Sequence, residues 1–368
     1  MHPRLKYNPH HEHYARMAME FRPFVMSVHE PMFRSPCVNT DRLGFREQVS
    51  ANGQRISLAD LREFADSCDV ILGGSTVFGV DATTDVMTIS AQMTRLLPEN
   101  DNARKLVVNL GIRGATSTQE AHIYQFARRF LPKVDNLFIL SGVNNAYMSV
   151  VDESQRWTPF GALISDRHYY LRFREQYLND STNREVRMIS DMEQWLLEQF
   201  AKPGRFRTMV EKAYKIFASD RIPQRSVTQH GSNERLALAY EDLKADLITV
   251  RDLAPEARTR YVLQPAAIWC GKKLTSQEQK IIAADDAVEP ANALYGSRAF
   301  HKMFSKGVKG ICAQCEMEFI DANDWFGALN DDAISQFTDM CHLTDDGNRI
   351  LAEKLLEMSR PGPSGESL

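Results

Sequence analysis

One short stretch constrains the fold more than any other: at residues 69–79 an apolar run leads into Gly73, Gly74 and Ser75. Three apolar residues in a row, two of them β-branched, are typical of a strand that is buried on both faces of a parallel sheet. The glycine pair predicts a tight turn in backbone angles that other residues avoid, and the residues after Ser75 are predicted to be helical. Ligands of open α/β sheets bind at this edge of the strands. Ser75 is therefore a candidate functional residue, although a phosphate-binding turn or a purely structural turn would fit the same stretch.

The alternation of strand and helix continues along the chain. Strands that alternate with helices predict a parallel sheet with helices on both faces, and hence an α/β fold. Right-handed crossovers bring the carboxyl ends of such strands to one edge of the sheet. Further strands are predicted at 105–110, 136–140, 259–264 and 318–322. Helices are predicted at 58–67, 84–97, 118–130, 233–253, 276–304 (with a break at 289–290) and 345–358.

The predicted domain organisation follows from where this alternation stops. Residues 1–54 show no sustained period and are interpreted as an irregular lead-in with a short strand at 24–27. The α/β domain is predicted to comprise 55–150 and 230–360. Between these two parts, residues 151–229 carry helical patterns and no strand, which favours an inserted helical cap beside the site. A helical pair that braces the domain away from any site is the alternative. Residues 361–368 are predicted to be a frayed tail.

Composition excludes several classes of function. The chain has 368 residues, and its 44 Lys and Arg stand against 48 Asp and Glu, a balance that argues against a nucleic-acid-binding protein. No apolar stretch approaches the roughly 20 residues that cross a bilayer, and no secretory signal is visible at the amino terminus. Of the six cysteines, only Cys312 and Cys315 form a close pair, too few ligands for a structural zinc site. We therefore expect a cytoplasmic protein with reduced thiols and no metal.

Four polar clusters fall at strand ends or just past the last strand: Ser75, residues 109–116, residues 142–145, and Asp339 with His342. A serine attacks an acyl carbon when a histidine removes its proton, and a carboxylate holds that histidine in the correct tautomer. Asp339 precedes His342 by three residues, so one turn of chain can present both. Glycine N–H groups and asparagine amides in the other clusters are suitable donors to an oxyanion. The chain thus supplies a candidate for each role in acyl transfer.

In this order, the four clusters resemble the motifs of the SGNH (GDSL-type) hydrolase family. The G-D-S block is similar to Gly73-Gly74-Ser75, and the second-block glycine, in an N-x-x-x-x-G-x-T context, is similar to Gly114. The G-x-N-D block resembles residues 142–145, and the D-x-x-H block resembles residues 339–342. The resemblance implies a three-layer α/β/α sandwich with a mostly parallel, flavodoxin-like sheet. It also implies ester hydrolysis with no metal or organic cofactor.

Roles for individual residues follow from the same resemblance. Ser75 would be the nucleophile, His342 the general base and then acid, and Asp339 the group that orients it. The N–H groups of Ser75 and Gly114, with the side-chain amide of Asn144, would form the oxyanion hole. The implied substrate is a small-molecule ester, such as an O-acetyl ester, of a hydroxylated or carbohydrate-like alcohol. We expect the protein to have no nucleic-acid or membrane partner.

Two positions depart from the family pattern: Gly74 stands where the G-D-S aspartate is expected, and Asn145 stands where the G-x-N-D aspartate is expected. Both departures suggest a divergent branch. The α/β-hydrolase elbow G-x-S-x-G is not met, because Val77 occupies the last glycine position. An O-acyltransferase on the same site and a non-catalytic carbohydrate-binding protein on the same scaffold are the alternatives.

Two further side chains are candidates for contact with the substrate. Arg113 lies within the second cluster, where a guanidinium could pair with an anionic group, and a solvated or salt-bridged arginine is the alternative. Tyr147 follows the third cluster and could line a pocket, with packing in the core as the alternative.

Overall fold

A computed structural model of the chain describes residues 3–22, 26–97, 104–150, 232–288, 295–329 and 334–360. Its centre is a five-stranded parallel sheet. The strand order β6-β5-β7-β8-β9 is the 2-1-3-4-5 order of flavodoxin-like folds, so the predicted fold class is confirmed. The strands are β5 (Ser67–Gly73), β6 (Lys105–Gly111), β7 (Lys133–Ser141), β8 (Arg258–Leu263) and β9 (Glu318–Asp321).

Helices cover both faces of the sheet, which makes three layers. Alternate residues of β5 point to opposite faces: Val70 and Leu72 belong to one apolar cluster, and Ile71 belongs to the other. The described helices that follow the amino-terminal region are α2 (Leu61–Phe64), α3 (Ser75–Phe78), α4 (Ile89–Leu96), α5 (Ser117–Ala127), α6 (Val143–Val150), α7 (Ser232–Leu253), α8 (Ser276–Val288), α9 (Arg298–Gln314), α10 (Ala322–Gly327) and α11 (Asp345–Ser359). Residues of α5, α7 and α9 pack in the first cluster, and residues of α4 and α11 pack in the second.

Several helix bounds differ from the prediction. The helix predicted at 58–67 is a 3₁₀ turn followed by the single turn α2, because β5 already begins at Ser67. Ser57 caps that segment, since its side chain accepts from the N–H of Ala59. In the segment predicted at 276–304 with a break at 289–290, the described residues form α8 and α9, and α9 continues ten residues beyond the predicted end.

The amino-terminal region contains regular structure as well as turns. It includes helix α1 (His11–Arg16), the antiparallel pair β1 (Met19–Arg22) and β2 (Met26–His29), and the short pair β3 (Gln48–Val49) and β4 (Arg55–Ile56). The buried Arg46 ties this region to the turn that carries Ser75. Its Nη1 donates to the carbonyls of Phe78 and Gly79 at 2.9 and 2.8 Å, and its Nε pairs with Asp85 at 3.0 Å.

Two predictions concern residues outside those described: the helical insertion at 151–229 and the tail at 361–368. Within the described ranges, no helix is long and apolar enough to cross a membrane. All six cysteines lie in these ranges and are free thiols, and five of them are buried.

Candidate active site

The nucleophile candidate lies on a turn that is built by close packing. Ser75 is the first residue of α3, directly after β5 and the capping residue Gly74. Gly73 has no room for a Cβ because the carbonyl of Leu140 on the next strand occupies that space. A Cβ at Gly74 would come within 2.7 Å of the side-chain nitrogen of Asn144. Neither glycine has a positive φ, and Gly74 has a φ of −85° and a ψ of −149°, outside the regular helical and extended regions. These positions need glycine because their neighbours approach so closely.

Ser75, His342 and Asp339 form one hydrogen-bonded chain. The Oγ of Ser75 lies 2.7 Å from Nε2 of His342, although 267 residues separate the two in sequence. The Nδ1 of His342 lies 2.5 Å from Oδ2 of Asp339. The other oxygen of Asp339 accepts the main-chain N–H groups of Cys341 and His342 at 2.8 and 2.7 Å. The carboxylate is thus fixed from both sides, and it orients the imidazole toward Ser75.

Electrostatics in this chain favour the charged imidazole. Burial alone would lower the pKa of His342, but the Asp339 carboxylate outweighs it and raises the pKa well above its ordinary value. Ser75 is 8% exposed and the Asp339 side chain is fully buried. A carboxylate that stabilises a positively charged imidazole also stabilises the imidazolium formed when a serine gives up its proton.

The predicted oxyanion donors Gly114 and Asn144 lie on two further segments that border the Ser75 turn. Asn144 donates from Nδ2 to the carbonyl of Ala115 at 2.7 Å, and a side-chain amide has a second N–H to give. The same nitrogen borders Gly74, immediately before Ser75. Gly114 has a φ of +73° in the turn that precedes Ala115. The main-chain N–H groups of Ser75 and Gly114 donate to no acceptor in the part of the chain that the structure describes. All three predicted donors therefore lie on turns that border one another.

The two residues predicted to contact the substrate make other contacts within the protein. Arg113 donates from its two terminal nitrogens to the main-chain carbonyls of Tyr14 and Met17, each at 2.7 Å, so it holds the amino-terminal region. A contact with substrate would require these hydrogen bonds to break. Tyr147 packs in the apolar core, with its ring 5.7 Å edge-on from that of Tyr295, which is the core alternative considered for it.

Sequence reasoning missed two residues that join the nucleophile turn to the histidine loop. Thr76 donates its hydroxyl to the carbonyl of Cys341 at 3.0 Å, and it accepts from Nε2 of Gln264 at the same distance. Gln264 directly follows β8, so it is a polar residue at a strand end like the four clusters. That position was the available signal.

One group of side chains in the described ranges could approach a metal ion. The ligating atoms of Asp339, Cys341 and His342 all lie within 4.8 Å of one another. Two of these atoms already share a hydrogen bond at 2.5 Å, so a cation would have to displace the proton between Asp339 and His342. In the structure, Asp339 and His342 are joined to each other by this hydrogen bond.

A cavity of about 500 Å³ borders the loop that carries Asp339. Thr338 and Thr344 contribute to its wall from that loop, and Asp81 contributes from the segment after α3. Ser75, Asp339 and His342 do not line it, so the cavity is separate from the hydrogen-bonded chain that these three residues form.

No protein-family model matches the chain, and no curated protein matches it. Solved structures do align with it. An acetyl xylan esterase is 13% identical, with 79% of this chain and 98% of that chain covered and a TM-score of 0.39. A lipolytic G-D-S-L family protein from Veillonella parvula is 10% identical, with 79% and 97% covered and a TM-score of 0.37. A catalytic mutant of an acetylxylan esterase from Geobacillus stearothermophilus is 14% identical, with 81% and 95% covered and a TM-score of 0.37. Because these TM-scores lie below 0.5, the alignments establish neither fold nor function for this chain.

Proposed function

We propose that the chain is a serine hydrolase that cleaves carboxylic esters. The observation that supports this most is the hydrogen-bonded chain from Ser75 through His342 to Asp339, with distances of 2.7 and 2.5 Å. Its residues come from two turns far apart in sequence, and it ends at the carboxyl edge of β5, where α/β folds bind their ligands. Within this class, we propose a divergent member of the SGNH (GDSL-type) family, since the motif order and the 2-1-3-4-5 sheet agree with that resemblance.

The proposed reaction begins when Nε2 of His342 takes the proton of the Ser75 hydroxyl as Oγ attacks the ester carbonyl. Asp339 keeps Nδ1 protonated and stabilises the imidazolium. The negative charge that develops on the carbonyl oxygen is stabilised by the N–H groups of Ser75 and Gly114 and by the Asn144 amide. The imidazolium then protonates the leaving alcohol, which leaves an acyl group on Ser75. Water, deprotonated by His342, releases the acid and restores the serine.

Two features of the site explain the departures from the family motifs. Gly74 leaves the space that the Asn144 amide occupies, so a side chain there would displace a proposed oxyanion donor. Asn145 donates from Nδ2 to the hydroxyl of Ser117 at 2.8 Å and accepts from its N–H at 3.2 Å, a pairing that an aspartate could only half make. Both departures therefore leave the proposed chemistry in place.

The proposed substrate is an O-acyl ester, such as an acetyl ester, of a small hydroxylated or carbohydrate-like molecule. This extension rests on the family resemblance. The cytoplasmic location, the absence of nucleic-acid and membrane partners, and the domain boundaries stay predictions.

The experiment that tests the function compares Ser75→Ala with Ser50→Ala, a surface-turn serine whose hydroxyl bonds only its own turn. We expect wild type and S50A to hydrolyse p-nitrophenyl acetate and to take up a fluorophosphonate probe on Ser75. S75A should do neither, while its circular dichroism and Tm stay unchanged. Undiminished turnover by S75A, or a probe adduct on another residue, would remove the hypothesis. Transfer of the acyl group to an added alcohol in place of water would assign the acyltransferase alternative.

A further inference from the structure

A carboxyl group that the mechanism does not use lies buried beside the oxyanion turns. Glu120 lies in α5 and is 1% exposed. Its Oε1 accepts the hydroxyl of Ser141 at 2.7 Å, and Oε2 has no hydrogen-bond partner in the described ranges. Ser141 is the last residue of β7, and Asn144 follows it by three residues.

The turn after β7 is closely packed against neighbouring side chains. Gly142 has a φ of +124°, and a Cβ there would lie 3.2 Å from the hydroxyl of Tyr261 and against the side chain of Leu263. Three polar contacts join this turn to the start of α5: Asn144 to the carbonyl of Ala115, Asn145 to Ser117, and Glu120 to Ser141. Glu120 makes the contact nearest the strand, because it binds Ser141, the residue after which the turn begins.

The charges around Glu120 favour its neutral form. Asp246 of α7 faces it, and Tyr261 of β8 lies beside it. Asp242 raises the pKa of Asp246 and His122 lowers it. Cys312 of α9 and Asp321 of β9 raise the pKa of Tyr261. Burial and, to a smaller extent, Asp246 raise the pKa of Glu120 to about 8, against the opposing hydrogen bond from Ser141. Near neutral pH the side chain therefore keeps its proton.

We propose that Glu120 is a positioning residue for ester hydrolysis: as a neutral acid it holds Ser141, and through Ser141 it holds the turn that presents the Asn144 amide to the oxyanion. This inference rests on the proposed function. The Ser141 hydroxyl also binds the ionised group, but a negative charge at position 120 would be buried near Asp246 with no facing cation among the described residues. We expect the turn to shift to relieve this buried charge, which weakens the oxyanion contact.

The transition state carries more charge on the oxyanion than the bound ester does, so the loss should fall on kcat. In Glu120→Ala we expect kcat to fall roughly ten- to a hundredfold, less than the about 10²–10³ lost when an oxyanion donor is removed outright, with KM changed less than about twofold. Glu120→Gln keeps an oxygen for Ser141 and has no charge at any pH, so most of kcat should remain.

The test measures kcat and KM for wild type, E120Q, E120A and the exposed control Glu256→Gln between about pH 6 and about pH 10. Wild type and E256Q should lose kcat as the pH rises past about 8, and E120Q should not. The same alkaline loss in E120Q as in wild type would overturn the proposal, as would an E120A enzyme with unchanged kcat. If E120A does not fold, the pH profile of E120Q decides.

A second readout does not depend on catalysis. Because the pKa of Glu120 is raised in the folded state, the folded protein binds a proton that the unfolded chain has released, so its stability is highest below the unfolded pKa. The wild-type unfolding constant should therefore increase up to about tenfold per pH unit from about pH 4.3 upward, relative to E120Q. This difference should level off above about pH 8. If the proposed function is wrong, Ser75 stays unlabelled by the probe. If only this inference is wrong, Ser75 is labelled and kcat does not depend on residue 120.

Discussion

Replacing Asp339 with asparagine separates the charge of this residue from its shape. One oxygen of Asp339 accepts two main-chain N–H groups, from Cys341 at 2.8 Å and from His342 at 2.7 Å. In Asp339→Asn, only the carbonyl oxygen of the amide can keep both of these bonds. The amide NH₂ group must then face Nδ1 of His342, where the second carboxylate oxygen lies in the wild type.

That arrangement reverses the tautomer of the imidazole. With a donor opposite it, Nδ1 becomes an acceptor, and the proton of the neutral ring moves to Nε2. The ring can then no longer accept a proton from Ser75, whose Oγ lies 2.7 Å from Nε2. In a serine protease triad the same change lowers kcat by about 10⁴, and four factors of ten correspond to about 5.4 kcal/mol of lost transition-state stabilisation. We expect a loss of this order here, with little change in KM, because the Asp339 side chain is fully buried behind His342.

The pH dependence has a definite sign. The general base works as the neutral imidazole, and Asp339 raises the pKa of His342. Wild-type kcat/KM should therefore increase with pH through a midpoint above the ordinary value of about 6.5. In D339N the contribution of the Asp339 carboxylate is lost, while burial still lowers the pKa of His342 and Cys341 still raises it, so the midpoint of the residual activity should move to lower pH. The raised pKa also stabilises the folded protein fully below about pH 6.5, and this contribution is lost as the pH rises through the folded-state value.

The assay is the pH profile of p-nitrophenyl acetate hydrolysis, with Asp346→Asn as the control. Asp346 lies in α11 with about half of its side chain exposed, so its replacement removes the same charge without touching the imidazole. A D339N enzyme that keeps more than a tenth of wild-type kcat, or a midpoint that stays in place, would refute the reasoning.

Two further predictions concern the positions that depart from the family motifs. Gly74→Ala puts a Cβ within 2.7 Å of the Asn144 amide and should lower kcat by up to about 10²-fold with little change in Tm. The control Gly310→Ala has open space around it and should leave kcat unchanged. Equal kcat values in the two variants would contradict this prediction. Asn145→Asp leaves the Ser117 hydroxyl, whose proton already goes to a neighbouring carboxylate, facing an oxygen that cannot donate. It should cost about 1–3 kcal/mol in a urea unfolding experiment, and an unchanged midpoint would count against the pairing.

Much of the fold can be predicted because it depends on local patterns. The run before Gly73 is apolar without a break, as a strand buried on both faces must be, and β5 is observed there with three more residues before the run and one after it. The helix bounds were less predictable. Segment 58–67 has a good cap at Ser57, yet it forms only short turns, because β5 takes its last residue.

The residues of the candidate site fall into two kinds. Ser75, Asp339 and His342 could be found because a serine turn and the D-x-x-H spacing are visible in sequence. Glu120 could not, because one carboxylate in an amphipathic helix resembles a solvated one until burial is known. Arg113 was a candidate for substrate contact on its residue type, and in the structure its two terminal nitrogens donate to two carbonyls of the amino-terminal region.

The sequence by itself determined the order of strands and helices, and with it the parallel sheet, because hydrophobic periodicity and turn residues act within a few positions of each other. Only the tertiary structure decided which side chains meet. Ser75 and His342 are brought to 2.7 Å across 267 residues by the pairing of whole strands, and the space at Gly74 exists because a neighbouring turn places Asn144 there. Such contacts depend on the packing of distant segments, and no local pattern encodes them.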